Sequence, residues 1–186
     1  MSARIQSILD EIFGIYEKRG AENYIGEAIS QIEHASQSAE LAEKNGNDEE
    51  VILAAFFHDI GHLCEGEDIG GYGKMSHEKI GADYLRKLGF SEKIARLVEN
   101  HVQAKRYLCA KKPEYYRKLS EASKKTLEFQ GGMMSQDELI AFEQDPLFQL
   151  SIHMRAWDEA AKEENKPLPQ LNIYRAMAER HLNRLQ

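Results

Sequence analysis

The stretch Asp48-Glu49-Glu50-Val51-Ile52-Leu53-Ala54-Ala55-Phe56-Phe57-His58-Asp59 decides how this chain folds. Its first residue is a good helix N-cap, and the two acidic residues after it suit a first helical turn. The apolar run Val51 to Phe57 is far shorter than the roughly twenty residues a bilayer span needs. It is apolar all round a helix, so the pattern predicts a central helix from Glu49 to about His58 with other helices packed on every side. The run closes on His58-Asp59, followed by His62. A charged aspartate beside a histidine at the end of so apolar a helix is costly unless something compensates it, and a metal ion does so. Neighbouring helical residues point about a hundred degrees apart. A His-Asp pair can therefore give His58 to one metal while Asp59, with two oxygens, bridges to a second.

Outward from this core, helical spacing recurs. Ile5, Ile8, Ile12 and Ile15 predict one buried helix face. A second helix is expected from about Ile25 to Lys44, stopping at Asn45-Gly46. A loop with Gly66, Gly70, Gly71 and Gly73 runs from Cys64 to Met75. Ser76 is expected to cap a fourth helix ending near Gly89, and Ser91 a fifth that continues through His101. Further helices are predicted at Pro113–Lys118, Glu121–Phe129, Ser135–Gln144, Leu147–Glu163 and Leu171–Leu185, with Ser135 and Glu138 forming a capping box. Three valines and one threonine in the whole chain point away from strands. The expected fold is an all-α helical bundle, one domain over residues 1–186.

The 186 residues are 42% hydrophobic and 30% charged, the balance of a folded globular protein, not a disordered one. A net charge of −7 argues against a general nucleic-acid binder, which needs a basic face. The N-terminus leads into a helix with polar interruptions and lacks a signal-peptide core. Cys64 and Cys109 are the only cysteines, so reduced thiols and a cytoplasmic location are expected.

The remaining histidines are spread as a metal site in a bundle requires. His34 lies one helix upstream of His58-Asp59, His77 begins the fourth helix, His101 lies on the fifth, and Asp158 sits in a late helix beside Trp157. Several helices each giving one or two inward side chains is a common way to build a dimetal centre. Imidazole and carboxylate ligands without thiolate suit iron, manganese or zinc. His153 and His181 read as packed or surface residues.

His34, His58-Asp59 and Asp158 in this order resemble the HD-domain superfamily, and the added His77 and His101 resemble its two-metal branch. Longer stretches extend the likeness over nearly the whole chain: 23–29, 58–62, Gly70-Gly71-Tyr72-Gly73, 101–108, 123–132 and 155–158. They resemble the mixed-valent di-iron oxygenases of the 2-amino-1-hydroxyethylphosphonate dioxygenase type. That resemblance implies two iron ions, Fe(II) and Fe(III), with a small phosphonate and O2 as reaction partners; the net charge and the short apolar run argue against nucleic acid and membrane as partners. It implies that His34, His58, Asp59 and Asp158 hold one iron, and Asp59, His77 and His101 the other.

The resemblance also implies substrate contacts at Tyr24, Glu27, His62, Lys105, Ser123, Thr126 and Gln130. Lys105 follows His101 by four residues, so a cation stands one turn from a ligand, well placed for a dianionic head on the metal. His62 has the same relation to His58 if the helix continues. Ser123, Thr126 and Gln130 share a helical spacing, as one helix offering three hydrogen bonds would. Tyr24 and Glu27 resemble a gate in which the tyrosine caps an iron position until the substrate amine pairs with the glutamate. Phe129 and Met133 depart from the tyrosine and proline expected in close relatives. Two other readings stay open: a metal-dependent phosphohydrolase acting on a small phosphate ester or nucleotide, and a binding module with a vestigial site.

Overall fold

The computed structural model describes residues 2–24, 26–167 and 170–185. Among these residues there are ten α-helices and no strands: α1 (Ala3–Arg19), α2 (Gln31–Lys44), α3 (Glu49–Phe57), α4 (His77–Leu88), α5 (Glu92–Lys111), α6 (Pro113–Lys118), α7 (Glu121–Phe129), α8 (Gln136–Glu143), α9 (Phe148–Ala160) and α10 (Leu171–Arg184). A 3-10 turn, Ile60–Leu63, follows α3. The fold is all-α, and no described helix is long and apolar enough to cross a membrane.

Helix α3 lies at the centre, with every residue from Val51 to Phe57 buried. Asp48 caps it through its Oδ1, which accepts from Val51 N at 3.0 Å. The long α5 packs against α3, α4 and α9, while α2 and α10 complete the wall around α3. Cys64 and Cys109 are free thiols.

Several boundaries differ from expectation for local reasons. The buried face of α1 is Ile5, Leu9, Ile12, Phe13 and Tyr16; Ile8 and Ile15 are only partly buried at its margin. Aromatic bulk outranks the isoleucine spacing, because Phe13 and Tyr16 pack on Phe56 and Phe57. Helix α2 starts at Gln31, where Ser30 and Glu33 form a reciprocal capping box. The predicted start at Ile25 falls on a residue outside those described. Helix α5 runs past His101 to Lys111. Ser76 precedes α4 but does not cap it with its side chain; its backbone is left-handed, with φ 54°.

Candidate metal centre and substrate pocket

Six side chains from five segments meet inside the bundle: His34 from α2, His58-Asp59 from the end of α3, His77 from α4, His101 from α5 and Asp158 from α9. All six are buried. They form two lobes around one carboxylate. Asp59 Oδ2 lies 3.6 Å from His34 Nε2 and 3.4 Å from His58 Nε2, with Asp158 Oδ1 3.3 Å from His34 Nε2. Asp59 Oδ1 faces the other way, 3.4 Å from both His77 Nε2 and His101 Nε2.

The ring nitrogens test whether a cation fits. Nδ1 of His34 contacts Ala161 O at 2.9 Å, Nδ1 of His58 contacts Ala55 O at 2.8 Å, and Nδ1 of His101 contacts Val98 O at 2.6 Å. A carbonyl only accepts, so each Nδ1 carries a hydrogen and each Nε2 faces inward. Yet His34 Nε2 and His58 Nε2 stand 3.0 Å apart, and His77 Nε2 and His101 Nε2 3.1 Å apart. At that distance a hydrogen or a metal ion must lie between the two nitrogens of each pair. Burial opposes a proton on His58, but the Asp59 and Asp158 carboxylates outweigh it and push that ring up to about 9. The same field attracts a metal ion, and oriented imidazoles with carboxylate partners are what such an ion needs. The donor set therefore fits two cations sharing Asp59.

Local sequence explains the placement. Helix α3 ends at His58, and Asp59 turns out of it with φ −103° and ψ 10°. Its residue neighbours then form a 3-10 turn, so the helix does not carry on to His62 and the expected one-turn relation to His58 is absent. His62 instead stacks on His77, with ring centroids 3.9 Å apart. Its Nδ1 accepts from Lys74 N at 3.1 Å, which leaves the hydrogen on Nε2. Burial first, then the neighbouring histidines, hold His62 well below the ordinary imidazole range, so it is a neutral donor.

One pocket adjoins the cluster, lined by Asp59, His77, His101 and Asp158 and by all seven predicted substrate residues. In it, Lys105 is buried and donates to Thr126 Oγ1 at 2.8 Å and Gln130 Oε1 at 3.0 Å. Both partners are neutral. Burial, then the Arg155 charge, pushes Lys105 down to about 7. A buried ammonium group without a carboxylate partner favours an anion.

On the opposite flank, Tyr24 stacks on His34 with centroids 3.9 Å apart, and its hydroxyl reaches Asp158 Oδ1 at 3.5 Å. Burial and the Asp158 charge raise Tyr24 well above an ordinary phenol, so it is protonated. Tyr24 and Glu27 share a turn, with Glu27 N bonded to Tyr24 O at 3.1 Å. Glu27 pairs with Lys162 at 2.5 Å.

Two pocket residues carry roles not read from the sequence. Arg155 is buried, donates to Asp158 Oδ2, and bonds Glu159 and Tyr115 at 2.8 and 2.9 Å. Its i, i+3 spacing to Asp158 was a usable signal. Lys162 lies beyond the end of α9, which stops at Ala160 and not at Glu163 as expected. Of the histidines read as bland, His153 is exposed, and His181 is buried and stacked on Phe90.

A helical core holding buried histidines and aspartates in this order defines a class. The model of the HD domain matches residues 31–145. Among known proteins, the chain is 44% identical to an uncharacterised protein of Acanthamoeba polyphaga mimivirus, over 98% of this chain and 85% of that one. It is 39% identical to the [1-hydroxy-2-(trimethylamino)ethyl]phosphonate dioxygenase (glycine-betaine-forming) of Leisingera caerulea, over 96% and 92%. It is 35% identical to the hydroxymethylphosphonate dioxygenase of Gimesia maris, over 90% and 85%. The chain belongs to the HD-domain phosphonate dioxygenase family. It is accordingly an oxygen-dependent dioxygenase with a metal cofactor and a small-molecule substrate. Tyr24 and Asp158 stand outside the matched span, so the site draws on both flanks of that domain.

Proposed function

We propose that this protein is a di-iron oxygenase that cleaves the C–P bond of 2-amino-1-hydroxyethylphosphonate, or a close 1-hydroxy-2-aminoalkylphosphonate. The reaction takes O2 and gives glycine and phosphate. Carbon 1 is oxidised from carbinol to carboxylate, O2 is reduced, and both oxygen atoms end in the two products. The single observation that carries the reading is the Asp59-bridged pair of histidine lobes beside an unneutralised buried lysine.

In this reading His34, His58, Asp59 and Asp158 hold one iron, and Asp59, His77 and His101 the other. The metals supply O2 activation and Lewis acidity. The chain supplies position and charge. Lys105, with Thr126, Gln130 and Ser123, receives the phosphonate oxygens. His62 donates from Nε2 to the same head group. Tyr24 covers the His34 lobe until substrate arrives, and Glu27 receives the ammonium group. Residues 1–186 act as one unit, since helices at both ends of the chain enclose the core.

The amine is the finer point. One relative is named for a trimethylated substrate and another for a phosphonate without an amine. Glu27 supports a primary ammonium, which donates hydrogen bonds to a carboxylate. Tyr24, Tyr72 and Phe129 in the lining support a quaternary ammonium as second reading. Iron-loaded protein should consume O2 and release equimolar glycine and phosphate from 2-amino-1-hydroxyethylphosphonate. Partly oxidised protein should show a half-spin paramagnetic signal with g values below two that the phosphonate reshapes. Faster turnover of the trimethylated compound would select the second reading. Release of phosphate from esters without O2 uptake would return the hydrolase.

A further inference from the structure

We propose that Lys162 is a built-in competitor for the substrate's cation, and so sets which phosphonate tails the pocket prefers. The inference rests on the reading of Glu27 as the ammonium acceptor. Lys162 Nζ lies 2.5 Å from Glu27 Oε1, and both residues line the pocket. An ammonium group of the chain thus occupies the place beside Glu27 that a substrate ammonium group would take.

The backbone on either side of Lys162 is held. Ala161 O meets His34 Nδ1 at 2.9 Å. Glu163 is clamped twice by the buried amide of Gln37, O to Nε2 at 2.8 Å and N to Oε1 at 2.9 Å. The Lys162 side chain alone is therefore free to move, and 28% of it is exposed. A cationic tail displaces it from Glu27 and leaves it in water, whereas a tail without charge leaves the ion pair in place. Each aminated substrate must offset one ion pair that hydroxymethylphosphonate does not disturb. Among the described residues, Glu27 is the only carboxylate paired with Lys162.

The test is calorimetric binding to full-length, metal-loaded protein without O2, using 2-amino-1-hydroxyethylphosphonate and hydroxymethylphosphonate. The readout is the ratio of the two Kd values, because any general loss of positive charge toward phosphonates cancels in it. Lys162→Met should shift the ratio toward the aminated ligand by about two- to fivefold, the worth of one partly exposed ion pair. Lys162→Arg should keep the wild-type ratio, and Glu27→Gln should shift it the other way. An unmoved ratio in Lys162→Met, with Glu27→Gln still shifting it, overturns the competitor and leaves Glu27 as acceptor. A ratio that neither variant moves overturns the aminophosphonate reading and the inference with it.

Discussion

A Cβ placed on Gly61 would lie 1.9 Å from the carbonyl oxygen of His77 and 2.7 Å from its carbonyl carbon. The turn after Asp59 and the first residue of α4 are in backbone contact, and the 3.4 Å approach of His77 Nε2 to Asp59 Oδ1 depends on it. Gly61→Ala should push α4 away and cost about 1–3 kcal/mol from overpacking. The larger effect is expected on metal: the variant should lose the ion assigned to His77 and His101 and keep the other. Elemental analysis after loading checks this, and full occupancy of both positions would refute it.

Lys105 sets stability against binding. Its folded value of about 7 lies below the roughly 10.4 of a free lysine, so the unfolded chain binds more protons between those values. Stability therefore rises with pH across that window, and the cost of the buried charge is fully present below pH 7. Lys105→Met should raise Tm by roughly 5 °C at pH 6 and by less at pH 9. It should also weaken phosphonate binding at least tenfold. A variant that melts lower at pH 6 would show that the lysine is not held against its charge.

Metal should stabilise the fold, because six buried ligands meet around it. Metal at a hundred times its Kd adds about 2.7 kcal/mol, or roughly 5–10 °C in Tm for a chain of this size. Chelation should reverse the gain. Asp59→Asn should remove most of it, since an amide offers one oxygen and no charge to two lobes. Equal melting with and without metal would argue against a site that is formed only in the folded chain.

The fold was largely legible because its centre is extreme: α3 is so apolar that nothing but burial suits it, and caps such as Asp48 and Ser135 mark helix starts directly. The residues that fill the two lobes were legible for a related reason, since His and Asp at helix positions inside an apolar pattern are conspicuous. Residues 26–30 were misread as helix although the Ser30…Glu33 box stood in the sequence, because apolar Ile25 and Ile29 suggested a continuing face. The 3-10 turn that carries His62 onto His77 is set by the tertiary contact at Gly61, and no local pattern encodes it. Lys162 was invisible for the same reason: its partner Glu27 is 135 residues away.

Arg155 offers a test of whether Asp158 touches metal. The guanidinium and the carboxylate are both buried, and Arg155 holds Asp158 well below the ordinary carboxylate range against the effect of burial. Arg155→Met leaves that carboxylate buried without its cation, a change that typically costs about 3–5 kcal/mol. A metal ion bound at Asp158 would supply a replacement charge. The loss of Tm should therefore be large in chelated protein and clearly smaller in metal-loaded protein. Arg155→Lys keeps a charge but not the two-pronged donor geometry, so it should fall between the two in stability while lowering kcat about tenfold. The same loss of Tm in both metal states would mean that Arg155 alone neutralises Asp158, and would remove that residue from the proposed ligand set.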